Sequence, residues 1–208
     1  MLVRRLGGLQ HFKVSYFDIH YGYLNLNLFT SSLSLHVTTL RSLYIGQCHF
    51  RGVLDLSGFE QLEAVHLHYA SFFHYKFNDA MARGLFCPRL KFLGIDFTRD
   101  WRWEWTPMDA GAETWLRDLG VYAVRLKSPL TKVFLTCKPH IENGCHYEDP
   151  MALDCYPWDR IIRLKTYFRG LGIWLGHSRV RYPTSQWLSS GSSLTDIDFY
   201  LDFIFKEY

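Results

Sequence analysis

One spacing recurs along the chain and constrains it more than any other feature: an apolar residue, two variable ones, a second apolar residue, one variable, then an apolar β-former. The copies are Leu9, Phe12 and Val14; Leu40, Leu43 and Ile45; Leu62, Val65 and Leu67; Leu90, Leu93 and Ile95; and Leu130, Val133 and Leu135. A weaker sixth copy is Leu194, Ile197 and Phe199. The last two positions of each copy alternate with polar or small residues at period two, the pattern of a short strand with one buried face. The first five copies start about 22 to 40 residues apart, which leaves room for a return segment between strands.

Those return segments carry helix signals. Asn78 can cap a helix through Met81 and Leu85 that stops before Cys87 and Pro88, and Asp109 can start another carrying Trp115, Leu116 and Leu119, ended by Gly120. A lone strand-plus-helix unit buries too little apolar surface to offset its chain entropy. The units must therefore stack and share one interior.

Composition agrees with a compact chain of this kind. Of 208 residues, 48% are hydrophobic, and aromatics reach 17%, enough to fill a core and leave rings on a binding face. The net charge of +3 is too small to make nucleic acid or an anionic membrane the main partner. No signal-peptide core follows Arg4 and Arg5, and the charge-free stretch Tyr21 to Leu40 is too rich in Asn, Ser and Thr for a transmembrane span. Five scattered cysteines, an odd number, read as reduced thiols and point to a cytoplasmic or nuclear protein.

The segment LRSLYIGQCHF, Leu40 to Phe50, resembles the leucine-rich repeat pattern, with Cys48 at its consensus Asn position. Cys87-Pro88-Arg89-Leu90 is similar to the junctions of F-box-type leucine-rich repeat proteins, and LDLSGFEQLEAVHL, Leu54 to Leu67, resembles repeats of their fungal members. The resemblance spans roughly residues 9 to 136. It implies an α/β fold: a short, irregular leucine-rich repeat solenoid with a parallel strand face and helices or loops on the other side. It also implies substrate recognition in a ubiquitin-ligase setting. No F-box helix set precedes the first copy, so only the recognition half is expected. A first strand so close to Met1 further predicts a truncated product whose lost part would cover that edge.

Two regions follow: a repeat-like array over residues 1–136 with an insertion at 99–108, and a loop, C-terminal helix and closing segment over 137–208, continuous with the array. On the strands, the position between the two apolar residues yields Lys13, Tyr44, His66, Gly94 and Phe134, and the next outward position yields Ser15, Gly46, His68, Asp96 and Thr136. Both ladders should point away from the core, with His68 beside Asp96. A protein partner is expected on this face, through Lys13, Tyr44, His66, His68, Asp96 and Phe134, since interfaces favour aromatic residues.

Other constellations point elsewhere. Cys137, His140, Cys145, His146 and Cys155 offer zinc-type ligands at irregular spacing, and with the thiols they define an alternative, a metal- or thiol-dependent enzyme. His66, His68 and His74 form a weaker metal candidate. Neither spacing matches an established zinc pattern, no catalytic signature is present, and a protein that is no enzyme and needs no cofactor is expected. Trp101, Trp103 and Trp105 put three indoles at alternate positions, to cover a core or anchor a partner. From Arg160 to Arg181 six Lys or Arg accompany Ile161, Leu164 and Phe168 at helical spacing. This reads as one amphipathic helix with a solvated basic face, RNA binding being the alternative.

Overall fold

A computed structural model describes residues 8–14, 24–46, 50–69, 76–97, 108–137 and 158–178. Each of the first five pattern copies ends in a strand: β1 (His11–Val14), β3 (Ser42–Ile45), β5 (Ala64–His68), β6 (Phe92–Asp96) and β7 (Lys132–Thr136). With β8 (Trp174–His177) they make an open six-stranded sheet, parallel throughout, in the order β1-β3-β5-β6-β7-β8. Between them stand, among the described residues, four α-helices: α1 (Leu26–Leu33), α2 (Asp79–Leu85), α3 (Ala110–Arg125) and α4 (Trp158–Gly170). Two short strands, β2 (Leu24–Asn25) and β4 (Phe50–Arg51), pair in parallel as a separate ladder. The fold is therefore mixed α/β, and each step along the main sheet moves one strand over in chain order.

The strand entries repeat the same backbone device. The carbonyl of Gln10 accepts from the amides of Arg41 and Ser42, that of Arg41 from Glu63 and Ala64, that of Glu63 from Lys91 and Phe92, and that of Lys91 from Thr131 and Lys132. In each copy the leading leucine lies just before this junction, and Leu40, Leu62 and Leu90 are fully buried. The spacing between leucine and strand is thus set by a turn that must return the chain in register.

Alternation then sorts the strand side chains. Leu43, Val65, Leu93, Val133 and Leu175 lie across from one another, followed by Ile45, Leu67, Ile95 and Leu135. All nine belong to one core cluster with Ala82 and Leu85 of α2, Leu116 and Leu119 of α3, and Leu164 and Phe168 of α4. Helices and sheet thus share a single interior, as period two on strands and three to four on helices require.

Local capping explains where the helices begin. Asn78 Oδ1 accepts from the Met81 amide at 3.0 Å, and Asp109 Oδ1 accepts from Ala112 at 2.7 Å, as the sequence predicts for both. Asn25 caps α1 in the same way through the amides of Asn27 and Leu28. That helix lies in the charge-free stretch and has no counterpart in the sequence reading. No helix among the described residues is long and apolar enough to cross a membrane.

Two expectations need correction. Helix α3 does not stop at Gly120 but runs on to Arg125. Gly120 is there for packing: a Cβ would lie 2.8 Å from Leu171 Cδ1 and 3.3 Å from Phe168, where α4 crosses. The segment from Arg160 to Arg181 is not one helix, because α4 ends at Gly170 and β8 follows. Gly172 takes φ +75°, its amide bonds to the Arg169 carbonyl, and the Ile173 amide reaches back to Phe168. These paired bonds with a left-handed glycine terminate a helix firmly. The sixth strand is consequently β8, while Leu194, Ile197 and Phe199 lie outside the described residues.

Candidate functional site

The sheet face opposite the helices is built by the residues between the core positions. Register places Lys13, Tyr44, His66, Gly94, Phe134 and Gly176 in one row, each across from the next. The row begins with a cation over a ring, Lys13 Nζ being 5.0 Å from the Tyr44 centroid. Tyr44 stacks on His66, with centroids 4.9 Å apart and planes inclined at 27°. His66 in turn leans over β6, because Gly94 leaves that space open: a Cβ there would meet His66 Nδ1 at 2.2 Å. The same arrangement recurs at the far end, where a Cβ on Gly176 would lie 2.1 Å from the indole of Trp174 and 3.0 Å from Phe134. Two large rings thus occupy the places of two missing side chains.

A second row runs beside the first. His68 stands across from Asp96, as the register predicts, and Asp96 across from Thr136. Neighbouring parallel strands lie about 4.8 Å apart, so the imidazole and carboxylate are adjacent groups on one face.

These side chains leave the core cluster to the other face, but the centre of the face is not open to water as the sequence reading expects. Tyr44 is 7% exposed, His66 5%, His68 3% and Asp96 6%. Part of that burial is mutual, since the rings cover one another and the glycines between them. Exposure rises toward the two ends: Lys13 is exposed, Phe134 half-buried and Trp174 57% exposed.

Burial has an electrostatic consequence at His66. Removal from water pulls its pKa down to about 4, with Asp96 opposing and His68 and Lys13 adding to the depression. Its Nδ1 is buried without a hydrogen-bond partner among the described residues. A neutral imidazole at this position acts as a stacking ring with a polar edge.

The thiol and metal candidates fare differently. Cys137 is buried at the end of β7, and desolvation, with Asp96 adding, raises its pKa well above the ordinary thiol range. Cys87 is pushed up to about 12 by burial and points its thiol at the Leu62 carbonyl, 3.4 Å away. Such thiols are poor thiolate donors. His140, Cys145, His146 and Cys155 lie outside the described residues, as do His74 and the three tryptophans at 101, 103 and 105. Among the described residues no group of three or more His, Cys, Asp or Glu side chains can hold a metal.

One carboxylate ties part of the basic helix to α3. Glu113 of α3 receives Arg163 at 2.7 Å, Arg117 at 3.0 Å and Arg160 at 3.8 Å, and the hydrogen bond from Arg163, then that from Arg117, holds its carboxyl below the usual range. Arg160 and Arg163 therefore join α4 to α3. Arg179 and Arg181 are outside the described residues.

Sequence reasoning missed the last strand's contribution, Trp174 and Gly176. The signal is weak because Gly172 and His177 stand where the other copies carry leucine and an aliphatic β-former. The alternation around Leu175 was the remaining clue. Comparison of the chain with protein-family models, curated proteins and solved structures finds no match.

Proposed function

We propose that this chain is a non-enzymatic protein-interaction module, a short leucine-rich repeat-type solenoid whose strand-lined face holds a polypeptide partner. The observation that carries this reading is the continuous row from Lys13 through Tyr44, His66 and Phe134 to Trp174, running across six parallel strands on the side away from the core. Strands that follow one another in chain order, with the same paired backbone bonds at the entries of β3, β5, β6 and β7, are what stacked repeats produce. Aromatic rings held rigidly by neighbours lose little entropy on binding, which suits them as anchors. The contact starts at the accessible end, where Trp174 and Phe134 offer ring surface beside Lys132. His66, His68 and Asp96 form the polar centre of the row and set its shape. The resemblance of Leu40–Phe50 and Leu54–Leu67 to F-box-type repeats supports a role in selecting substrates for a ubiquitin ligase.

The test is affinity purification with identification of bound proteins, run in parallel on the native chain and on Phe134→Ala and Lys132→Glu. A partner retained in near-stoichiometric amount by the native chain and lost at least tenfold from both variants, at unchanged melting temperature, is the expected result. An identical set of proteins on all three would overturn the assignment of this face.

A further inference from the structure

The arginines of the helical layer divide into two kinds. Arg83, Arg117, Arg125, Arg160 and Arg163 are each paired with Asp79 or Glu113. Arg169 is the exception on α4, and Lys165, one turn before it, shares that condition: neither makes an ion pair or a side-chain hydrogen bond among the described residues. Both line a cavity of about 400 Å³ where the end of α4 meets β8, together with Gly172, Ile173, Trp174 and Leu175. Among the described residues, no carboxylate contributes to that lining. The volume is within the range of sites that enclose a few side chains of a ligand.

Among the described residues neither cation holds another side chain in place; Lys165 is half-buried, and Arg169, in the last turn of α4, is exposed. The last carbonyls of α4 are already satisfied, Phe168 by the amides of Leu171 and Ile173 and Arg169 by that of Gly172, so no basic side chain is needed to cap the helix. Like charges at i and i+4 repel, and no acid among the described residues offsets them. The cavity also adjoins the strand-lined face, because Trp174 belongs to both: its indole covers Gly176 on the sheet and the residue lines the cavity at the sheet's end.

From this we infer that the cavity between α4 and β8 is a subsite for the carboxylate side chains of an acidic, extended segment of the partner, with Lys165 and Arg169 as its counter-charges. The inference deepens the reading of the strand-lined face as a protein-binding surface and rests on it. A nucleic-acid strand fits less well, since such binders track many phosphates, and the other arginines of α4 are spent on Glu113. Two cations beside an apolar floor of Ile173 and Leu175 suit one or two carboxylates flanked by apolar side chains.

Selection of a displayed random dodecapeptide library on the purified full-length chain tests it. The native chain should enrich peptides rich in Asp and Glu, and synthetic copies of these should bind at least tenfold more weakly to the double variant Lys165→Glu with Arg169→Glu, and more weakly to native protein as salt rises. The neutral pair Lys165→Gln with Arg169→Gln serves as a second variant and should fall between, with the melting temperature of both checked against native. No enriched peptide, enrichment without acidic residues, or equal binding by both variants would overturn the subsite. Binding of a uridine oligonucleotide to native chain and its loss from the charge-reversed variant, with no acidic peptide enriched, would overturn it in favour of phosphate. Phe134→Ala separates the two readings: acidic peptides lost only on charge reversal leave the subsite standing while the face reading fails.

Discussion

The two faces of the main sheet are equally well buried at their centre, and they reach that state by opposite means. On the helix side, Leu43, Val65, Leu93 and Val133 repeat one solution from strand to strand, each 0% or 1% exposed beneath α2, α3 and α4. On the other side no single residue type runs along the row. Lysine, tyrosine, histidine, glycine, phenylalanine and glycine follow one another, and burial comes from a ring lying where its neighbour has no side chain. The aliphatic ladder tolerates conservative exchange because any branched aliphatic of similar volume fills it. The second face depends on particular pairs, and a change in one member is felt through the other. That contrast is why the first reads as structure and the second as recognition.

The contrast can be broken most forcefully on the aliphatic side. Leu93→Ala removes a fully buried side chain at the centre of the sheet, and a stability loss of about 2–5 kcal/mol is expected, measured by denaturant unfolding with an unchanged slope. A loss below about 1 kcal/mol would mean that the helices do not press on this ladder.

The next effect is a pH dependence that belongs to the other face. The folded-state pKa of His66, about 4, lies below its unfolded value of 6.5, so the unfolded chain binds the extra proton between these values. Stability contributed by the neutral imidazole is therefore fully present above pH 6.5 and is lost as pH falls toward 4. The shift corresponds to a loss of about 3 kcal/mol in this window. Melting temperatures recorded from pH 7 to pH 4 should decline more steeply for native chain than for His66→Phe. Parallel curves would mean that His66 is not buried as a neutral ring.

A smaller effect sharpens the pairwise nature of the face. Gly94→Ala places a Cβ against the imidazole of His66, and a loss of about 1–3 kcal/mol is expected for such overpacking. Because the strain is shared, the double variant Gly94→Ala with His66→Ala should be more stable than the sum of the single changes predicts, by about 0.5–3 kcal/mol. Additivity in this cycle, read from chemical denaturation, would show that the ring moves aside freely.

Much of the architecture was readable because it is written in local rules. Five of the six strands of the main sheet follow from the leucine spacing, and the starts of α2 and α3 follow from Asn78 and Asp109, whose side chains cap them through the amides of Met81 and Ala112. The errors share a cause. Gly120 was read as a helix end and proved to be a contact point for α4, while Gly172, inside what looked like continuous helix, is the true stop. A glycine marks either a left-handed turn or a close approach, and only the neighbours distinguish the two. The candidate face shows the same limit. Its row of residues was named from register, but Trp174 and Gly176 were not, since β8 lacks the leading leucine and ends in His177.

By itself the sequence determined five periodic strands, the side of each that meets the core and the starts of two helices, because period-two alternation and helix caps act over a few residues, whereas the parallel pairing was implied only by the resemblance. Tertiary structure alone decided that His66 is buried and neutral, that rings fill the space left at Gly94 and Gly176, and that Lys165 and Arg169 face a cavity without a counter-charge among the described residues. Desolvation, ring packing and ion pairing depend on atoms brought together from strands and helices tens of residues apart, and no local pattern records them.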